Sequence, residues 1–181
     1  MGEIKLPPKV KLISGLLYNE SVNMSDVFEI LENAFGAIDF KTEPFLFEFS
    51  KYYDKEMGEI KYRQYISFKK LVCAEDLSGI KIYANEIEKK FAVSRGSGTC
   101  FRRNINIDPG YIELGKLVLA STKNYTHRIY VGKGIYAEPT LQFLKKTFAP
   151  WPFSYPDYSD KFAVDFFNTV RAHYKIQLNE N

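Results

Sequence analysis

Between residues 9 and 107 the spacing of apolar side chains switches repeatedly between a two-residue and a helical period, and this succession restricts the fold more than any other feature. Segment 9–18 reads as a mostly buried strand that stops at Asn19. Asn23 or Ser25 can cap a helix whose stripe is Val27, Ile30, Leu31, Ala34 and Phe35, with Gly36 as its stop. Residues 39–44 read as a connection. Phe45, Phe47 and Phe49 then alternate with Leu46, Glu48 and Ser50, and a polar turn at 54–59 leads into a second strand at 62–71, so the pair forms a long hairpin. From residue 74 the period lengthens. Leu77, Ile80, Ala84, Ile87 and Phe91 trace one helical stripe, and Lys81, Glu86, Glu88, Lys89 and Lys90 fall away from it. Residues 101–107 return to strand spacing, with Ile105 and Ile107 on one face and Asn104, Asn106 and Asp108 on the other. Strand, helix, strand, strand, helix, strand predicts a ferredoxin-like βαββαβ core of the α+β class, an antiparallel sheet with helices on one face, over residues 9–107.

Residues 108–176 extend that core by a helix, a β-hairpin and a final helix. Asp108 can cap and Pro109 can open a helix that carries Leu114, Leu117, Val118 and Ser121, while a buried strand over 116–120 competes with it. Segments 127–131 and 135–141 flank Gly132-Lys133-Gly134, and a three-residue loop pairs Val131 with Ile135, Tyr130 with Tyr136, Ile129 with Ala137 and Arg128 with Glu138. Each pair matches in character, which favours this register. Residues 143–148 extend the second strand of that hairpin. Three prolines keep 149–158 out of regular structure. Ser159 caps the last helix, with Phe162, Ala163, Phe166, Phe167, Val170 and Tyr174 as its stripe and a frayed tail after residue 176. No linker divides the chain, so residues 1–181 are expected to form a single domain.

Composition excludes several classes. The formal charge of +3 falls short of the basic footprint of a nucleic-acid binder. No apolar run approaches the roughly 20 residues of a membrane span, and the first residues lack the core of a signal peptide. Two cysteines and two histidines without paired spacing argue against a metal site and for reduced thiols in the cytoplasm. The Gly96-Ser97-Gly98 loop has neither dinucleotide-fingerprint nor P-loop spacing, and no nucleophile elbow occurs.

The segment 104–138 holds the densest set of reactive side chains. Arg128 with Glu138 is either an ordinary cross-strand ion pair or, flanked by Tyr130 and Tyr136, a bidentate holder of a phosphate or carboxylate. His127 is the acid/base candidate by its near-neutral titration, and a hydrogen-bonded structural residue otherwise. Asn106 and Asp108 share a strand face, with Tyr111 and Lys123 near the ends of the next segment. If that face opens onto Arg128 and Glu138, the two halves make one polar pocket. His127, Glu138 and Asp108 are then the candidates for proton transfer, and Arg128, Lys123, Tyr130, Tyr136, Asn106 and Tyr111 those for binding.

The motifs Asn106-Ile107-Asp108-Pro109-Gly110-Tyr111, Thr122-Lys123, His127-Arg128-Ile129-Tyr130, Gly134-Ile135-Tyr136-Ala137-Glu138 and Tyr155-Pro156-Asp157-Tyr158 make the chain resemble the domain-of-unknown-function 4416 family, small single-domain proteins of bacteria and archaea. The likeness runs from the KLISGLLY strand to the last helix, and the 94–100 loop reads as an insertion. The resemblance implies kinship of fold and no reaction. Some members are described as GTP-binding, for which this chain lacks the phosphate-cradling loop and the magnesium ligand. Three readings of function follow: a binder of a small anionic ligand near Arg128 and Glu138, a non-enzymatic interaction or homodimer module built on 149–158 and the hairpin, and a nucleotide binder without a P-loop. Neither catalysis nor a cofactor is legible.

Overall fold

The computed structural model describes residues 2–94 and 101–180, so the Gly-rich loop and Cys100 lie outside the described residues. Strand β1 (Val10–Tyr18) is followed by α1 (Met24–Phe35), β2 (Ile38–Lys41), β3 (Phe45–Leu46), the single turn α2 (Asp54–Met57) and β4 (Tyr62–Val72). A 3₁₀ turn, Ala74–Asp76, leads into α3 (Leu77–Lys90), then β5 (Val93–Ser94), β6 (Phe101–Arg102), β7 (Ile105–Ile112) and β8 (Lys116–Ser121). The chain continues through β9 (Ile129–Gly132), β10 (Ile135–Leu144), β11 (Thr147–Pro150), the short α4 (Pro156–Ser159) and the long α5 (Lys161–Glu180). Among the described residues, nine strands form one antiparallel sheet in the order β11-β10-β8-β7-β1-β4-β2, with β3 on β4 and β9 on β10. β5 and β6 make a separate two-stranded ribbon.

Both faces of the sheet are covered, not one. Leu12, Leu16, Ile66, Phe68, Ile105 and Ile107 pack under Val27 and Leu31 of α1 and Ile80, Ala84 and Ile87 of α3. On the opposite face Ile13, Tyr65, Leu117, Leu119 and Leu141 pack under Phe167, Val170 and Tyr174 of α5. β1 lies between β4 and β7 and beneath helices on both sides, which is why all nine of its residues are buried. Its Lys11 is tolerated there because Nζ is paired with Asp39 and bonded to Gln177 Oε1 at 2.9 Å. The α1 boundaries match the sequence expectation, since Asn23 accepts from the Ser25 amide and Gly36 follows the last helical residue.

Several expectations are corrected. Residues 39–41, part of the 39–44 segment read as connection, lie in β2 and pair with β4, and the expected Phe45–Phe49 strand shrinks to Phe45–Leu46, because Phe47 turns inward onto Leu17 and Met57. No helix starts at Asp108. Residues 108–112 pair with β1 and 116–121 form β8, so the competing strand reading holds. The Asp108 carboxylate takes Asn106 Nδ2 at 2.7 Å instead of capping amides. The hairpin keeps Tyr130 opposite Tyr136 and Ile129 opposite Ala137, but Gly132 faces Ile135, which makes Val131 a bulge and shortens the loop to Lys133-Gly134. Both loop residues have positive φ, 55° and 77°, the tight-turn geometry whose twist suits a hairpin. Residues 143–148 do not continue straight: Lys145 and Lys146, at φ 48° and 70°, reverse the chain into β11. That strand reaches Pro150 and α4 begins at Pro156, so 149–158 is less irregular than its prolines suggest. α5 continues past residue 176 to Glu180, and Asp160, not Ser159, accepts the Phe162 amide at its start.

The feature that makes room for a site is a split between β7 and β8. Gly110, Tyr111 and Ile112 pair with Leu119, Val118 and Leu117, but β7 below Gly110 pairs with β1 alone and β8 beyond Leu119 with β10 alone. Pro109 has no amide to offer a neighbour. Gly110 sits in the crotch, where a Cβ would stand 2.3 Å from the Val118 carbonyl oxygen. The free edge of β7 is satisfied by α3: the Ile107 amide donates to Glu88 Oε1 at 2.8 Å, and Lys81 Nζ donates to the Ile107 carbonyl at 2.6 Å.

Candidate functional site

A cavity of about 980 Å³ occupies the split. β7 contributes Asn106 and Asp108, β8 Leu119 to Ser121, β4 Arg63, α3 Lys81 and Glu88, and β10 Glu138. The loop after β8 adds Lys123, Tyr125, His127 and Arg128, and segments 47–53 and 153–158 close the mouth with rings. Asn106, Asp108, Lys123, His127, Arg128 and Glu138 therefore border one space. Three other candidates lie outside that lining. Tyr130 and Tyr136 meet with their rings tilted by 60° and their centres 5.4 Å apart on the outer hairpin, and Tyr111 packs with the Leu77 and Val118 cluster.

Arg128 and Glu138 do form a buried pair, with Arg128 Nε donating to Glu138 Oε2. The guanidinium is otherwise committed: Nη1 donates to Ser121 Oγ and to the Lys123 carbonyl, both at 2.9 Å, and Nη2 to the Tyr155 hydroxyl at 2.6 Å. It also lies 4.6 Å from the centre of the Tyr125 ring. Four of its five N–H groups are thus used within the protein, which leaves little for a bidentate ligand. Arg128 is a brace that fixes the 121–128 loop against Tyr155. His127 Nε2 stands 3.3 Å from the same Glu138 oxygen, and its ring stacks on Phe153 at 4.3 Å. A carboxylate that orients an imidazole inside a cavity is an arrangement able to move a proton.

The cation with unpaired donors is Arg63, which sequence reasoning passed over as one polar residue in a strand. It is 4% exposed and salt-bridged through Nη2 to the buried Asp157 at 2.7 Å. Nη1 stands 3.6 Å from Asp108 Oδ2, beyond hydrogen-bond reach. Among the described residues Nε and Nη1 have no hydrogen-bond partner, nor has the neighbouring Tyr158 hydroxyl. The rings of Phe47, Tyr158 and Tyr65 surround the guanidinium at 5.2, 5.7 and 5.9 Å. Burial opposes its charge, but Asp157, the Tyr158 and Tyr65 hydroxyls and Asp108 more than offset this and raise its pKa. A guanidinium held charged with unpaired, though buried, donors has capacity left for an oxyanion. The clue to it in the sequence was weak, an arginine among Tyr62, Tyr65, Ile66 and Phe68 in a strand that also carries Gln64, Ser67, Lys69 and Lys70, and a buried arginine must be partnered.

Lys81 and Glu88, expected on the solvent side of α3, are both buried. They stand 3.7 Å apart over the β7 edge, Lys81 reaches Asp108 at 3.6 Å, and Arg103 approaches Glu88 at 3.4 Å. The unpaired strand edge draws them in. Burial raises the Glu88 pKa against the opposing pull of Lys81 and the Ile107 amide. A carboxylate with a raised folded pKa binds more protons folded than unfolded, so its contribution to stability falls as pH climbs above about 4.5. Glu88→Gln, which keeps the acceptor, is expected to flatten the decline between pH 4.5 and 7. Urea melts across that range would refute this by showing parallel curves for the two proteins. The two mouth tyrosines are also shifted: burial, then Glu138, pushes Tyr155 up to about 12, and burial, then Asp108, raises Tyr53.

Among the described residues no cluster of three metal-ligating side chains occurs, and no helix is long and apolar enough to cross a membrane. Neither the curated proteins nor the solved structures include a match to the chain. A family model described as "Domain of unknown function (DUF4416)" matches residues 8–174, a span that takes in every strand, both long helices of the first half and most of α5. The protein accordingly belongs to the DUF4416 family.

Proposed function

We propose that the cavity binds a small anionic ligand, with a phosphate or carboxylate of that ligand seated on Arg63. The observation that carries this reading is a charged guanidinium in the cavity wall that is almost wholly buried and has two nitrogens without a hydrogen-bond partner among the described residues. Burying a charge is costly unless its hydrogen-bonding capacity is met, so an anion that completes Arg63 gains more than one met at the surface. The lining carries six basic against four acidic side chains, a surplus of the right sign. Lys123 and Asn106 add donors, Arg128 braces the loop, and His127 with Glu138 is the pair placed for proton transfer. Asp108, hydrogen-bonded by Asn106, acts on the ligand through Arg63 and Lys81.

The four strands β7-β1-β4-β2, with α1 and α3 on one face, are read as a ferredoxin-like unit continued into β8, β10 and β11. Their antiparallel pairing and the place of the helices between them support this. One continuous sheet likewise supports reading the chain as one domain, and the free Cys73 thiol fits a cytoplasmic setting.

A thermal-shift screen of inorganic phosphate, pyrophosphate, nucleotides, sugar phosphates and carboxylic acids tests the proposal. A ligand at 100 times its dissociation constant should stabilise the protein by about 2.7 kcal/mol. Arg63→Lys keeps the charge but loses the fork, and is expected to weaken a true hit at least tenfold. Hits that bind Arg63→Lys as well as the parent would place the anion elsewhere.

A further inference from the structure

We infer that the anion is carried by a planar aromatic or heteroaromatic body, so that the ligand is an aromatic acid or an aryl phosphate. This rests on the anion-binding reading above and narrows it. Five rings in the cavity lining, Phe49, Tyr52, Tyr125, Phe153 and Tyr155, are each more than a third exposed. Large apolar side chains scattered singly over a surface need no explanation, but a group of them around one concavity marks a binding groove. An oxyanion on Arg63 would fill a small part of 980 Å³ and leave these rings in water.

The way the rings are set among the cations identifies the ligand more closely. Lys123 lies 4.3 Å from the Tyr52 ring centre, Arg128 4.6 Å from Tyr125, Arg63 5.2 Å from Phe47 and Arg103 6.0 Å from Tyr53. Cations and rings are therefore paired along the wall, and in the Arg63–Phe47 pair the cation keeps donors that have no partner among the described residues. Near the mouth Tyr125, His127, Phe153 and Trp151 form one nearly parallel stack, with interplanar angles of 5°, 16° and 3° between successive rings. A flat ring can join or extend such a stack, or meet the ring edges it presents to the cavity, whereas an aliphatic body gains burial alone. Aryl carboxylates and aryl phosphates share this chemistry, and the choice of probes separates the two.

Isothermal titration of the full chain with inorganic phosphate, cyclohexyl phosphate, 1-naphthyl phosphate, cyclohexanecarboxylate and 1-naphthoate provides the test. The naphthyl member of at least one series should bind tenfold or more tighter than its cyclohexyl counterpart. Phe153→Leu, at an exposed ring, should bring that ratio below threefold and leave affinity for inorganic phosphate unchanged. Equal binding of flat and aliphatic acids, or a ratio that survives Phe153→Leu, overturns the aromatic inference and spares the anion site. Failure of all five probes to bind overturns the anion reading and this inference with it.

Discussion

Replacing Arg63 by alanine is expected to cost about 3–5 kcal/mol of folding stability, because it leaves the 3%-exposed Asp157 as an unpaired charge in the interior. Asp157 has other ties: its carbonyl accepts from the Tyr65 hydroxyl at 2.9 Å, and its carboxylate stands 3.4 Å from the same group. One neutral donor does not replace a cation at 2.7 Å. The penalty belongs to the orphaned charge more than to the lost contact, and this can be tested. Arg63→Met with Asp157→Asn removes both charges and keeps most of the volume, and should recover more than half of the loss. Urea unfolding at neutral pH measures all three variants. A single Arg63→Ala within about 1 kcal/mol of the parent would mean that Asp157 finds water or another partner, and that the guanidinium is not the electrostatic centre of the cavity.

Gly15→Ala should be nearly as severe. A Cβ at this position in β1 would fall 2.1 Å from the Tyr158 hydroxyl oxygen and 3.2 Å from Arg63 Nη1. Neither neighbour is a loose chain end: Tyr158 is 1% exposed and stacks parallel to Phe167 at 5.7 Å, and Arg63 is tied to Asp157. Overpacking of this kind costs about 1–3 kcal/mol, or more when the neighbours cannot yield, and each kcal/mol lowers the melting temperature by about 2–4 °C at this chain length. The partner variant separates the causes. Tyr158→Phe deletes a buried hydroxyl that has no hydrogen-bond partner among the described residues, so alone it should be neutral or slightly stabilising. Combined with Gly15→Ala it removes the closest clash and should return at least about 1 kcal/mol. Strictly additive losses in calorimetry would show that the strain lies in the β1 backbone instead.

The elements that were legible beforehand are those whose own residues decide them. β1, α1, β4 and the body of α3 follow from period and capping, since each buries a face defined within its own sequence. The 108–121 segment was misread because Asp108, Pro109 and Gly110 have the same chemistry at a helix start and at a strand split, and only distant β1 and α3 choose between them. The site divides the same way. His127, Arg128 and Glu138 stood out because they are close in sequence and pair across one hairpin. Arg63, Lys81, Glu88 and Asp157 come from three other parts of the chain, and each looks ordinary until the fold removes its water. The role of Arg128 changed for a related reason: its partners Ser121, Lys123 and Tyr155 are set by loop paths that no periodicity encodes.

The position of β1 also has a kinetic consequence. It pairs with β4, as in Val10 with Val72, and with β7, as in Lys11 with Ile112, and α5 covers it only when Lys11 meets Gln177. Of the elements described, the strand made first is therefore the last to be fully enclosed. Partners so far along the chain give a high contact order, which slows folding. Until they arrive, VKLISGLLY is an apolar β-forming segment with both edges free, the kind that seeds aggregation in a nascent chain. Lys11 is the one charge in that segment, the kind of residue that interrupts such self-association, and in the finished protein it is paired with Asp39.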